Sequence, residues 1–251
     1  MSKTFFHYNE FFDTMQYDMK YQNICKGKFI ARPNRFIAEV EIDGSVERAH
    51  VKNTGRLKEL LVAGAGVYLE DHKGRMGTRK MRYSLIGVEK GDTLINIDSQ
   101  APNKVCEAAL LSGVLVLPDM EKLITVKREK TFGDSRFDFY LVDENGQAGW
   151  LEVKGVTLEE NGVAKFPDAP TERGVKHVEE LIKAVNEGYQ GYVLFVIQMQ
   201  TVQHFEPNDG THKAFGDALR SAQAGGVHIL AATCNVTGET LELAEVIPVI
   251  L

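Results

Sequence analysis

Residues 191–198 set six apolar side chains in an unbroken row, Tyr192-Val193-Leu194-Phe195-Val196-Ile197. A run of that kind suits a strand covered on both faces rather than one with a wet side, so layers are needed above and below it. The segment before it supplies one. Val175, Val178, Leu181, Ile182 and Val185 recur at helical spacing across 171–187, and Gly188 stands where such a helix ends. A second helix near 213–224 and a strand at 227–233 follow. Upstream, Pro102-Asn103 opens a helix carrying Val105, Ala108, Ala109, Leu110 and Leu111, and strands are expected at 123–132, 136–142 and 149–156. This order predicts an α/β domain on a mixed sheet.

The first 93 residues have a different texture. Phe36, Ala38, Val40 and Ile42 alternate with Glu39 and Glu41, which predicts a half-buried strand with those four inside. Asp43-Gly44 is a two-residue hairpin signal, and 45–51 is the return strand. Two more short strands at 64–70 and 82–88 suggest a small all-β barrel, for which the OB type is a good candidate. Residues 1–24 mix aromatic and polar types and suggest only a short helix. The division expected is therefore an extension (1–24), an OB-like domain (25–93) and an α/β domain (94–251).

The chemistry concentrates between 136 and 154. Arg136, Asp138 and Tyr140 alternate with Phe137, Phe139 and Leu141, while Trp150, Glu152 and Lys154 alternate with Leu151 and Val153. A two-residue Asn145-Gly146 loop would set Asp138 opposite Val153 and mix the faces. A three-residue Glu144-Asn145-Gly146 loop sets Asp138 opposite Glu152, so the apolar pattern selects the odd loop. Two like charges facing each other destabilise a sheet unless a cation accompanies them. Lys154 lies on the same face, and a hard divalent ion such as Mg²⁺ or Mn²⁺ suits a pair of carboxylates with water and phosphate oxygens. Such an ion polarises a phosphoryl group and acidifies a bound water, which is what phosphodiester hydrolysis needs. The same spacing also fits a polar, solvent-facing strand with an incidental ion pair.

The surrounding text narrows the choice. Asp138 with Glu152-Val153-Lys154 resembles the PD-(D/E)xK nuclease signature. The stretches 134–139, 152–158 and 166–177 (Phe166-Pro167-Asp168-Ala169-Pro170-Thr171-Glu172-Arg173-Gly174-Val175-Lys176-His177) resemble the sugar fermentation stimulation protein A family. Arg32-Pro33-Asn34-Arg35-Phe36 and Asn53-Thr54-Gly55-Arg56 look like its N-terminal motifs. Ile95-Asn96-Ile97 stands where a Val-Asn-Thr-type segment is usual, with Asp98 departing from an uncharged position. The resemblance runs from about residue 25 to the end. It implies an OB-like domain followed by a nuclease-like domain, and DNA binding linked to regulation of sugar metabolism. It leaves open whether the site at Asp138, Glu152 and Lys154 cuts DNA or whether the chain is a non-catalytic DNA-binding regulator with a nuclease fold.

Other residues join as candidates. Glu107 reads either as a third metal carboxylate or as an exposed helical Glu, and Gln198 as pointing into the site or capping its strand. Arg173, Lys176 and His177 open a helix, where free N–H groups favour phosphate. Arg32, Arg35, Lys52, Arg56, Arg75, Arg79, Lys80 and Arg82, with Tyr83, are candidate nucleic-acid contacts on the barrel, since barrels of this kind hold strands by cationic grooves and stacking. Net charge is −6, which argues against a polyanion partner until it is divided. Residues 1–92 hold 16 basic and 12 acidic residues (+4), the remainder 13 and 23 (−10), and phosphate binding follows local charge. The three cysteines, 25, 106 and 234, form no ligand or disulfide pattern. No stretch has the roughly 18 apolar residues of a membrane span, and the N-terminus has no apolar leader, so a cytoplasmic location is expected. No phosphate-cradling glycine loop or dinucleotide fingerprint supports a small-molecule enzyme.

Overall fold

Asp43-Gly44 turns the chain with both residues at positive φ, 50° and 77°, the geometry a two-residue hairpin demands, and Ile42 pairs with Ser45 across it. The hairpin belongs to a barrel in the computed structural model, which describes residues 19–251; the short helix expected around 11–17 lies outside them. After a two-residue strand β1 (Met19–Lys20) come β2 (Ile24–Asn34), β3 (Ile37–Ile42), β4 (Ser45–Val51), β5 (Gly66–Asp71), β6 (Tyr83–Lys90) and β7 (Thr93–Asn96). Antiparallel pairings join β3 to β2 and β4, and β5 to β2 and β6, and a parallel β4–β6 pairing closes the ring. Five strands closed this way make an OB-like barrel. Ala38, Val40 and Ile42 are buried as the alternation requires, but Phe36 is 45% exposed. It sits in the turn between Asn34 and Ile37 rather than in the strand.

The second part contains α1 (Ala101–Ser112), β8 (Leu123–Phe132), β9 (Ser135–Asp143), β10 (Ala148–Val156), β11 (Leu158–Glu160), β12 (Val163–Phe166), α2 (Glu172–Asn186), β13 (Gln190–Ile197), β14 (His204–Pro207), α3 (Asp209–Ala224), β15 (His228–Val236) and β16 (Thr240–Ile247). Seven strands form one mixed sheet, β1-β16-β15-β13-β10-β9-β8, with β13 parallel to β10 and β15. The α/β fold expected is the fold found. β11, β12 and β14 make a small separate sheet.

The apolar run of β13 is covered on both sides. Tyr192, Leu194 and Val196 pack with Val105, Ala109 and Leu110 of α1, while Val193, Phe195 and Ile197 pack with Leu181 of α2 and Leu219 of α3. Burying large side chains completely is worth about 1.5–3 kcal/mol each, which is why this strand anchors the domain. The cluster that holds Val193, Phe195 and Ile197 also includes barrel residues such as Val40, Leu69, Leu85 and Val88. Among the described residues no helix is long and apolar enough to cross a membrane.

Candidate metal and nucleic-acid site

The β9–β10 register settles first. Val142 pairs with Ala148, Tyr140 with Trp150 and Phe139 with Leu151, so the loop is the three-residue one. Gly146 takes φ +84° and its N–H donates to the Asp143 carbonyl at 3.0 Å. The regular pairing stops at Phe139. There the Val153 amide donates to Asp138 Oδ2 at 2.8 Å, so a side chain replaces the next rung of the ladder. The strand turns over at this point. Phe137 packs against Trp150 and His177, with ring centroids 5.8 Å away in each case, whereas Phe139 and Leu141 join the α1 side. The expectation that Phe137, Phe139 and Leu141 share one face is thus corrected: the change of side falls where the Asp138 side chain, rather than the backbone, meets β10, while β9 stays paired with β8.

Asp138 and Glu152 draw on different helices. Asn103 of α1 donates to Asp138 Oδ1 at 2.6 Å. Burial, and after it the nearby Glu152 charge, push the Asp138 carboxyl above its ordinary value. Glu152 is 4% exposed. Its Oε1 meets Lys154 Nζ at 2.6 Å and His177 Nδ1 at 2.5 Å. Burial acts to raise its pKa, but the His177 hydrogen bond and the Lys154 charge prevail and hold it below the ordinary range. Its Oε2 is buried without any partner. An orphaned carboxylate oxygen in such a place is costly, and a cation would satisfy it.

His177 has a defined tautomer. Arg173 Nε donates to its Nε2 at 3.2 Å, so Nε2 is the acceptor and the proton sits on Nδ1, directed at Glu152. The ring is 5% exposed. His177, expected among nucleic-acid contacts, therefore orients a carboxylate instead, with both nitrogens engaged. Arg173 and Lys176 remain on the surface, Lys176 reaching the Asp134 carbonyl at 3.3 Å. Glu107 lies one turn beyond Asn103 on α1, but it pairs with Arg128 at 3.3 Å. Among the described residues no three His, Cys, Asp or Glu side chains gather as a metal cluster. Asp138 and Glu152 fit a hard divalent ion that keeps several waters, and they are the residues that would hold it.

Two barrel candidates are spent on the fold. Arg32 donates through both terminal nitrogens to the carbonyls of Arg35, Asn53, Gly55 and Arg56 at 2.7–2.9 Å, tying two loops together. Lys52 forms a 2.7 Å pair with the fully buried Asp98. Neither is presented to a phosphate, a correction that burial explains: a guanidinium or ammonium taken from water must find acceptors inside. Arg82 is held bidentately by Asp71 at 2.5 and 2.7 Å, and Arg75 leans on Glu70 and the Asp71 carbonyl. Arg35, Arg56, Arg79 and Lys80 are exposed. Gln198 points into neither the carboxylates nor solvent: its Nε2 donates to Asn96 Oδ1 (2.8 Å) and the Asp98 carbonyl (3.1 Å). Asn103, the direct partner of Asp138, was missed by sequence reasoning; its place one helical turn before Glu107, facing the same sheet, was the available signal.

Comparison with known proteins agrees with this architecture. Residues 30–97 match the SfsA N-terminal OB domain and residues 100–240 the sugar fermentation stimulation protein RE domain. The chain is 54% identical over 233 residues to a sugar fermentation stimulation protein homolog of Clostridium beijerinckii, covering 93% of this chain and 100% of that one. It is 54% identical over 232 residues to a homolog of Desulfitobacterium hafniense, at coverages of 92% and 98%. The solved structure of Pyrococcus furiosus SfsA in complex with Ca²⁺ superposes with a TM-score of 0.82 at 30% identity, covering 93% of this chain and 98% of the other. The chain belongs to the sugar fermentation stimulation protein family.

Proposed function

We propose that this protein binds DNA and holds a divalent cation, Mg²⁺ or Mn²⁺, between Asp138 and Glu152, where Lys154 assists hydrolysis of the phosphodiester backbone. The observation that carries the reading is Glu152: one oxygen fixed by Lys154 and His177, the other buried and unpartnered. That a relative was solved in complex with Ca²⁺ supports a divalent ion as a ligand of this chain. Bound there, the ion would polarise a phosphoryl oxygen and acidify a water. Lys154 stabilises developing negative charge, and Arg173, Arg35, Arg56, Arg79 and Lys80 hold the phosphates. The barrel at 25–93 and the nuclease-like domain at 94–251 would share one duplex or strand.

A second reading has its own observation. Lys154 lies 2.6 Å from Glu152 and neutralises it internally, while both Asp138 oxygens already have partners. A DNA-binding regulator without catalysis would look the same. Calorimetric titration with Mg²⁺, Mn²⁺ and Ca²⁺, beside cleavage assays on single- and double-stranded DNA, decides between them. Under the first reading wild type binds cation and cuts, and Glu152→Ala and Lys154→Ala lose cleavage. Cleavage unchanged in both variants would sink the catalytic claim, and steeply salt-dependent DNA binding without cleavage favours the regulator.

A further inference from the structure

The turn between β2 and β3 is built from Arg35 and Phe36, an unusual choice. Two-residue hairpin tips favour Gly, Asn and Asp, which tolerate the backbone and cost nothing in water. Here the tip carries a large aromatic ring, 45% exposed, with the Arg35 guanidinium 4.8 Å from its centroid. The local alternation would have placed that ring inside with Ala38, Val40 and Ile42.

The tip is also held rigidly. Arg32 Nη2 bonds the Arg35 carbonyl, Asn34 Oδ1 accepts from the Phe36 amide at 2.9 Å, and the Phe36 carbonyl accepts from Val51 at 2.8 Å. The Arg32 knot joins it to the 53–56 loop. Through the Arg56 amide that loop donates to Asp168 Oδ2 at 3.0 Å, three residues before the Thr171 cap of α2. The α2 helix carries Arg173 and His177, which lead to Glu152. An exposed aromatic with Arg35 over its ring, on a turn that Arg32 ties to the loop of the exposed Arg56, is therefore fastened, link by link, to the element that orients the carboxylate.

We propose that Arg35 and Phe36 form a stacking site for an unpaired base of the DNA strand that runs to the carboxylates. This rests on the DNA-binding reading above. Aromatic rings hold unpaired bases irrespective of sequence, and cationic neighbours track the phosphates between them; a fully paired duplex offers no such base.

The test is fluorescence anisotropy in EDTA, which removes any cation contribution, using a labelled single strand, a blunt duplex and a duplex with a single-stranded overhang. Phe36→Ala is expected to weaken binding of the single strand and the overhang by roughly tenfold, leaving the blunt duplex and the salt slope unchanged. Phe36→Trp is expected to restore affinity and to show indole quenching on binding. Arg35→Ala should weaken the single strand and flatten the salt slope by about one charge. Equal affinity of Phe36→Ala and wild type for single strands, an equal loss on blunt duplex, or no binding of single strands by wild type would each overturn the proposal. A flat cation titration with the Phe36 effect intact would instead count against the metal site alone.

Discussion

At the scale of single residues, His177 shows how one ring can decide the use of a carboxylate. Because Arg173 donates to Nε2, Nδ1 must donate to Glu152, and Glu152 is held with its second oxygen free. Partners of this kind typically contribute 10- to 100-fold to metal affinity. An Asn side chain can place its amide nitrogen near the Nδ1 position, whereas Gln reaches the Nε2 position. Ca²⁺ affinity by calorimetry is therefore expected to fall by roughly tenfold or more in His177→Ala and His177→Gln and to be largely kept in His177→Asn; equal losses in all three would reduce His177 to a packing role. Asp143 supplies a pH prediction. The Glu121 amide foremost, against partial desolvation and with help from Gln147, Asn145 and Gly146, holds its carboxyl below the ordinary value. A depressed folded-state pKa means stability that is complete above the unfolded value, about 3.9, and lost as pH falls through the lower folded value. Asp143→Asn should be less stable than wild type at about neutral pH, with the gap closing below about pH 4. A gap that stays constant under acid would remove Asp143 from the account.

Among the elements, helix α2 combines an expected start with an unexpected task. Thr171 Oγ1 accepts from the Gly174 amide at 3.1 Å, the N-cap its residue type favours. Thr171→Ala should cost about 1 kcal/mol in urea unfolding and, by loosening the turn that carries Arg173, lower cation affinity as well. Loss of stability with unchanged cation binding would separate the cap from the site. Strand ends were less legible. Asn161-Gly162 joins β11 to β12 with both residues at positive φ (53° and 83°), a hairpin signal as clear as Asp43-Gly44, yet the strands flanking it hold only three and four residues and show little periodicity. The Phe137 reversal was hidden for another reason. The pairing of β9 with β10 ends at Phe139 although β9 stays paired with β8 to Ser135, and the spacing of apolar residues does not mark where one neighbouring strand leaves.

For the whole molecule, the seam between barrel and sheet is polar and buried. Asp98 is 0% exposed and accepts from Lys52 at 2.7 Å and Tyr21 at 3.4 Å, while Asn96 bonds Tyr21 and Gln198. Met19 and Lys20, within the segment read as an extension, pair with β16, which brings Tyr21 to this junction. Removing one member of a buried pair leaves the other charge stranded, so Lys52→Met should destabilise by about 3 kcal/mol. Adding Asp98→Asn should recover part of that loss, giving a non-additive cycle by chemical denaturation; strict additivity would mean the pair contributes nothing as a pair. The sequence by itself determined the doubly covered strand β13, the barrel hairpin, the odd-length turn before Trp150 and the candidacy of Asp138, Glu152 and Lys154, because periodicity and turn chemistry are local. Only the tertiary structure decided that Arg32 and Lys52 serve the fold, that His177 and Asn103 aim the carboxylates, and that Phe36 stands in water. Each of those outcomes depends on which acceptors and which apolar surface arrive from residues distant in the chain, and spacing along the chain carries no record of that.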